Sequence, residues 1–378
     1  MARLIEITGK ALSGEWGTDD ETGEGIPVLR TTNFTNEGVV NYNDVVTRKI
    51  TKKNINDKFL RKGDIIIEKS GGSDKFPVGR VIYFDGVENT YLFNNFTGLL
   101  RVKDREVWYP RYIFYSLYAN YKRGGTRSFE NKTTGLHNLK TDTYVEQFEV
   151  GEKSKKEQVS ICNKLDKLHD VMKLREQELQ MLNDLIKARF VEMFGDPVLN
   201  EKGWKTKPLL DMGKCKNGMN FHYDDSGVEI NCLGVGDFKD LSVIDNTEQL
   251  PTVSLNEMPS EEYLLKDDDI VFVRSNGNKA LVGRSVAVYP GDIPTTFSGF
   301  CIRYRKYDNA VTIPYLLRVL KADSIRKKMA GRGANIQNLN QQILGTLVIP
   351  VPPIELQMEF SDFVKQVDKS EVVVASVK

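Results

Sequence analysis

Histidine, cysteine and tryptophan are scarce in this 378-residue chain, at three, four and three copies. None of the histidines (His137, His169, His222) has a metal-ligand spacing. Cys215, His222 and Cys232 are near in sequence but read as ordinary core and surface residues. The four cysteines (Cys162, Cys215, Cys232, Cys301) form no C-x-x-C pair, which argues against a zinc ribbon or disulfide scaffold and fits a reducing cytosol. Nucleotide loops of the GxGxxG or GxxxxGK[ST] type are missing. Ser70 and Ser275 lie in no nucleophile elbow. No run approaches the ~20 apolar residues of a membrane helix, and the start, MARLIEITGKALSGEWG, has no signal-peptide core. The formal net charge is only +1, so an anionic partner must be met by local patches. The expectation is a soluble, cytoplasmic chain with no metal, cofactor or catalytic centre of its own and no membrane partner.

What the chain does have, it has twice. KGDIIIEKS (62–70) matches DDDIVFVRS (267–275), and PVGRVIYF (77–84) matches LVGRSVAV (281–288). FTGLLRV (96–102) is matched to FSGFCIR (297–303), and YPRYIFYSL (109–117) to IPYLLRVL (313–320). The offset stays between about 200 and 205, so the matches form one alignment. A period of ~200 residues is too long for a solenoid and means two copies of one domain. Each copy opens with short β-branched runs bounded by Gly, Asp and Asn, which predict strands. The glycine of Val78-Gly79-Arg80 and Val282-Gly283-Arg284 reads as a bulge or a close backbone approach. Pro110 and Pro314 each open an amphipathic helix.

Between the copies, Lys153 to Phe194 contains neither Pro nor Gly. Leu165, Met172, Leu179, Ile186 and Met193 recur by sevens; Ile161, Leu168 and Leu182 fall in the second heptad column, which Arg175 and Arg189 interrupt. That pattern predicts a long helix with a coiled-coil seam. Some 38 residues at 1.5 Å each would span about 57 Å. Gly195-Asp196-Pro197 ends it. A second helix, entered through IPVPPIELQ (349–357), carries Leu356, Phe360, Phe363 and Val367 at 4-3-4 spacing. The fold class is therefore α+β: two repeated β-rich domains, 1–152 and 197–352, separated by a helix over 153–196 that pairs with a C-terminal helix over 353–378 as an antiparallel coiled coil.

Catalytic chemistry is hard to find. Asp64, Glu68 and Lys69 are reminiscent of a nuclease acid cluster, but the second copy keeps Asp269 and puts Val273 at the place of Glu68. Asp64 and Asp269 then read as turn residues leading into strands, while the basic residue persists as Lys69 and Arg274. Two basic, glycine-containing stretches are the strongest chemical feature: YKRGGTRSFENKTTGLHNLK (121–140) and KKMAGRGANIQNLN (327–340), each ending in Asn-Leu. Residues 101–140 hold nine Lys/Arg against three acids, and 318–337 hold six against one. Phosphates take cations and backbone N–H groups, and base edges take Arg, Asn and Gln. The DNA-binding candidates are Lys69, Ser70, Arg123, Arg127 and Lys132 in the first copy. In the second they are Arg274, Ser275, Lys327, Lys328, Arg332, Asn335 and Gln337. A solvated face with a mobile loop is the plain alternative, and a helix cap is the alternative for Asn335.

Two β-rich copies around a helix bracketed by EQVSICNKLDKL and LIKARFVEMFGDP, with IPVPPIELQ entering the last helix, resemble the specificity subunit of type I restriction-modification enzymes. The resemblance runs over nearly the whole chain, and its final helix is shorter than the central one. It implies that each copy is a target-recognition domain reading one half of a split double-stranded DNA sequence. It also implies that the helices set the gap and dock two methyltransferase subunits. Restriction-translocase subunits would join the complex, and S-adenosylmethionine, ATP and Mg would belong to those partners. Two other readings stay open. A fused methyltransferase-nuclease would need a cofactor loop and an Asn/Asp-Pro-Pro-aromatic motif, and neither is found. A tandem module binding protein or RNA would use its helices to dimerise.

Overall fold

The structure, a computed structural model, describes residues 1–133, 136–221, 226–238, 242–330 and 338–375. The chain divides into two compact units, Met1–Val171 and Met172–Lys378. The division falls inside one continuous helix, so each unit takes its own share of it.

In the first unit β1 (Leu12–Ser13), β2 (Ile65–Glu68), β3 (Ser70–Gly72), β4 (Val81–Tyr83) and β5 (Thr97–Leu100) precede helix α1 (Pro110–Lys122). Then follow a hairpin, β6 (Glu130–Thr133) and β7 (Leu136–Leu139), a short helix α2 (Thr141–Gln147), and the long helix α3 (Lys155–Phe194). The central sheet has the order β1-β5-β2-β4. Side chains of a strand alternate between faces, and here both faces are covered. Ile65 and Ile67 join Leu100, Ile113, Phe114 and Leu117 in one core. Ile66 joins Leu29, Phe34, Phe93 and Leu99 in the other.

The second unit repeats this plan. Strands β8 (Gly213–Asn217), β9 (Asp269–Val273), β10 (Ser285–Val288) and β11 (Cys301–Lys306) form a sheet ordered β8-β11-β9-β10, with Val243–Ile244 at the edge beyond β10. Helices α4 (Ile313–Lys321), α5 (Asp323–Ala330), α6 (Gln341–Gly345) and α7 (Ile354–Ala375) follow. Ile270 and Phe272 face a core with Tyr304, Leu316 and Leu320. Val271 and Val273 face another with Phe297 and Cys301.

Strand pairing corrects one segment of the internal alignment. Ile65 pairs with Leu100, and Ile270 with Tyr304. Phe93 therefore corresponds to Phe297, Phe96 to Phe300 and Arg101 to Arg305, three residues away from the match of FTGLLRV to FSGFCIR. Both copies carry Phe-x-x-Phe (93–96 and 297–300), so the letters alone fit either register, and the hydrogen-bond ladder decides. The Val-Gly-Arg glycines are in the left-handed region, at φ +103° for Gly79 and +78° for Gly283. A Cβ on Gly79 would stand 2.8 Å from Thr126 Cγ2.

A buried glutamine joins the sheet-bearing part of each unit to its helix. Gln158 of α3 accepts from Tyr109 N at 2.8 Å and donates to the carbonyls of Val107 and Lys153, both at 2.9 Å. Gln357 of α7 accepts from Thr312 N at 2.9 Å and donates to Ala310 O at 3.0 Å and Pro352 O at 2.9 Å. Both side chains are wholly buried. Each therefore satisfies an N–H at the start of α1 or α4 that no helical carbonyl can reach. Gln357→Ala removes the partner of Thr312 N, Ala310 O and the buried Pro352 O and is expected to cost about 2–4 kcal/mol. Hydrogen exchange at the start of α4 reads it; wild-type protection there would show the clamp to be dispensable.

The heptad residues separate into two groups. Phe190 and Phe194 of α3 meet Phe360 of α7 with ring centroids 5.6 Å apart in each case, and Arg189 pairs with Glu359 at 2.9 Å. The last turns of one helix meeting the first turns of the other is the contact of an antiparallel pair. Ile186, Phe360 and Val367 are buried in that core, with Leu182, Leu356 and Phe363 packed on it. Leu165 and Leu179 are half-buried. Leu168 and Met172 instead stand 60% and 56% exposed, against the inward position the heptads predict for them. In the first unit α3 packs on α1 through a different face. Cys162 is buried there, and Asp166 binds Arg111 at 2.7 Å and the Tyr115 hydroxyl at 2.5 Å.

Candidate nucleic-acid interface

Where the central sheet ends, the two units build the same backbone ladder. Lys69 N donates to Phe96 O at 2.8 Å, and Leu139 N donates to Lys69 O at 2.8 Å. Arg274 N donates to Phe300 O at 2.7 Å, and Leu339 N to Arg274 O at 2.8 Å. The recurring Asn-Leu dipeptides thus tie the ends of both basic stretches to the residue that follows the central strand, Lys69 after β2 or Arg274 after β9. Ser70 begins β3 opposite Asn138, and Ser275 N lies 3.4 Å from Phe300 O. Phe96 and Phe300 themselves are 53% and 62% exposed. In the first unit a cleft of about 570 Å³ opens here, lined by Ser13, Lys69, Ser70, Phe96, Asn138 and Asp142 among others. Lys69 Nζ donates to Ser13 Oγ at 2.7 Å. Burial pushes the Lys69 ammonium down in pKa, and the nearby Asp142 carboxylate acts against that.

The described parts of the basic stretches form regular elements. Residues 130–133 and 136–139 pair as β6 and β7, and β7 pairs onward with β3. His137 and Glu130, buried inside the hairpin, lie 3.0 Å apart, and Glu130 also accepts from Val78 N at 2.9 Å. Lys327 and Lys328 are exposed on helix α5, whose Ile325 and Met329, four apart, bury its inner face. Arg332, Asn335 and Gln337 lie outside the described residues, as does the side chain of Lys132. Arg123 is exposed at the end of α1, and Arg127 caps the carbonyls of Asp74 and Lys75 at 3.2–3.3 Å.

Several cations in the counts have structural work. Arg101 binds Asp64 through Nε at 2.8 Å and Nη2 at 2.6 Å. Arg105 donates to Lys62 O at 2.8 Å, and Arg111 binds Asp166. Arg326 donates to Val282 O at 3.1 Å, and Lys321 to Ser242 Oγ at 2.8 Å. Glu68 is buried with Arg80 3.4 Å away; burial pushes its carboxyl up, with Arg80 opposing. That pair gives the carboxylate a structural task.

Lys321 stands where the first unit has Leu117. Burial, then the charges of Arg318 and Arg284, push its pKa down to about 8 from 10.5. The folded chain loses this proton near pH 8 and the unfolded chain near 10.5. Folding is therefore opposed by the charge at lower pH, and stability rises as pH climbs between those values. Hydrogen exchange of α4 should slow from pH 8 to 10 after correction for the intrinsic rate, and Lys321→Leu should remove the slope. A slope identical in the variant would assign it to another group.

Among the described residues, no helix is long and apolar enough to cross a membrane, and no group of three His, Cys, Asp or Glu could hold a metal ion. A family model for the type I restriction modification DNA specificity domain matches residues 4–184 and again 201–373. The chain belongs to that family. A specificity subunit of this family recognises DNA within a type I restriction-modification system and is not by itself an enzyme.

The type I restriction enzyme StySPI specificity subunit of Salmonella potsdam is 26% identical over 363 residues, covering 90% of this chain and 75% of that protein. The crystal structure of the type I restriction-modification S subunit from M. genitalium aligns with all of this chain and 92% of its own, at TM-score 0.53 and 16% identity. A structure described as the basis of complex assembly and conformational transition of the type I R-M system aligns with all of this chain and 91% of its own, at TM-score 0.52 and 15% identity. These two likenesses establish the specificity-subunit fold. The α+β architecture, the internal repeat and the long helix thus bear out the sequence expectation.

Proposed function

We propose that this specificity subunit reads a split double-stranded DNA target, one half through residues 1–152 and the other through residues 197–352. The helices over 153–196 and 353–378 set the gap and dock two methyltransferase subunits. Restriction-translocase subunits complete the complex in the cytoplasm, and those partners bring S-adenosylmethionine, ATP and Mg. The observation that carries this reading is the duplicated ladder at Lys69 and Arg274, with an exposed aromatic in the ladder, Phe96 or Phe300, and an exposed cation, Arg123 or Lys327, on the basic stretch that the ladder ties down in each unit. A DNA-binding surface made twice serves two half-sites. Methylation mapping in a host carrying this chain with its partners tests it. The expected result is one bipartite motif with a fixed gap and a methylated adenine in each half. A continuous motif, or none, would overturn the reading.

Exposed cations contribute a sequence-independent term. Lys327→Gln is expected to weaken binding alike on every duplex and to flatten the log–log salt slope by about one. Arg123→Gln should do the same in the first unit. Unchanged affinity at every salt concentration, with both changes combined, would make these residues plain surface.

A further inference from the structure

We infer that base reading in each unit is carried by the side chains that differ at equivalent positions around the shared ladder. These are Asn217 and Gln341 in the second unit, and Ser13 with Lys69 and Asp142 in the first. The inference rests on the two-reader function proposed above and deepens it. Two readers on one scaffold meet the same phosphate backbone but different bases. What the units share then serves the backbone and the groove, and what they do not share serves the sequence.

Pairing places the equivalent residues. Gly98 pairs with Ser13 and with Ile67, and Ile302 pairs with Asn217 and with Phe272, so Asn217 stands where Ser13 does. Leu139 and Leu339 make the same ladder bond, so Gln341 stands where Thr141 does. The shared members are the ladder, the exposed Phe96 and Phe300, and Asn138 and Asn338; the cation on the ladder differs in kind and direction, Lys69 reaching Ser13 and Arg274 reaching Gly299 O.

The side chains diverge for a steric reason. Gly98 lacks a Cβ; one built there would lie 3.4 Å from Lys69 Cδ. The Lys69 stem therefore crosses β5 beside that glycine and reaches Ser13. Ile302 holds that place in the second unit and is fully buried. The Arg274 guanidinium turns instead to Gly299 O at 3.3 Å. Asn217 is left to pair with Gln341, whose Nε2 donates to Asn217 Oδ1 at 3.3 Å.

The chemistry of the two sites then differs. After that one bond, the amide pair retains the Asn217 Nδ2 donor and the Gln341 Oε1 acceptor. Adenine presents the complement in the major groove, an N7 acceptor beside an N6 donor. The first unit offers the Lys69 ammonium with the Asp142 carboxylate. That set fits a G·C pair, whose O6 and N7 accept from the cation and whose cytosine N4 donates to the carboxylate.

The test uses the full chain produced with its methyltransferase partners and maps the methylated motif. Asn217→Ser and Gln341→Thr, which install the first unit's residues, should lower discrimination at one A·T position of a single half-site by about 5- to 150-fold. The other half-site and the gap should stay as in wild type. Ser13→Asn should alter only the opposite half. Phe300→Ala should lower methylation at all sites with the motif intact. If Asn217→Ser does not fold, Gln341→Thr, at the first residue of a helix, gives the same reading. An unchanged motif in an active Gln341→Thr variant, or relaxation in both halves, would overturn the inference. A wild-type chain giving no split motif would overturn the two-reader function and this inference together.

Discussion

Asp269→Ala is expected to destabilise the second unit by about 3–5 kcal/mol. The Asp269 side chain is wholly buried at the entry to β9, and Arg305 binds both of its oxygens, each at 2.7 Å. Asp269 Oδ2 also accepts from Lys266 N at 2.8 Å, and Arg305 Nη2 reaches Leu264 O at 2.9 Å. The pair thus pins the turn before β9 to the adjacent strand β11. The first unit repeats the arrangement with Asp64, Arg101, Arg61 N and Phe59 O. Removing the carboxylate leaves a guanidinium largely out of water and unmatched. Removing both partners is far milder, because desolvating the pair consumes much of its attraction. Asp269→Ala with Arg305→Met should recover most of the loss. Urea denaturation of the full chain, followed by hydrogen exchange in β9 and β11, separates the outcomes. A single variant within about 1 kcal/mol of wild type would show that the pair adds little.

That pair marks the boundary of what could be read from the sequence. Asp64 and Asp269 were legible as the turn residues that open a strand. Their partners were not, because Arg101 and Arg305 lie 37 and 36 residues away and Arg101 read as one more cation in a basic stretch. Isoleucine and valine runs such as Ile65–Ile67 gave the strands, since their alternation feeds two cores. Local letters could not give the register of β5 against β11, because a Phe-x-x-Phe repeat fits two alignments.

Glycine and charge suggested loops where the chain forms a hairpin and a helix. The deciding contacts there, between β7 and β3 and beneath Ile325 and Met329, are tertiary. Gln158 and Gln357 were within the quoted motifs, yet a glutamine near a helix start signals nothing until the neighbouring helix brings its unmatched N–H. A matched pair at equal distance from the two helix starts was the signal available. The patch proposed to face DNA showed in the sequence only as basic residues in equivalent stretches. The steric switch between Gly98 and Ile302 needed the pairing.

Four residues inserted after Val171 are expected to widen the gap between the two DNA half-sites by one or two base pairs and to leave both half-sequences unchanged. The site is the boundary of the two compact units, so the insertion interrupts the packing of neither. Val171, Met172 and Leu174 are 47%, 56% and 62% exposed, and helix-forming residues such as Ala and Glu can extend α3 there. Each added residue lengthens a helix by about 1.5 Å, and four turn its far end by roughly 40° beyond a full turn. Duplex DNA rises ~3.4 Å per base pair and turns once in about 10. About 6 Å therefore corresponds to nearly two base pairs, and a rotation of that size to about one. A flexible linker would give no such response, since its end-to-end distance grows only as the square root of its length. The companion exchange has the opposite signature: replacing residues 1–152 by another recognition domain should change one half-sequence and keep the gap. Both are read by methylation mapping. A gap that ignored the insertion in a variant still methylating its two half-sequences would mean that helix α3 does not set the spacing.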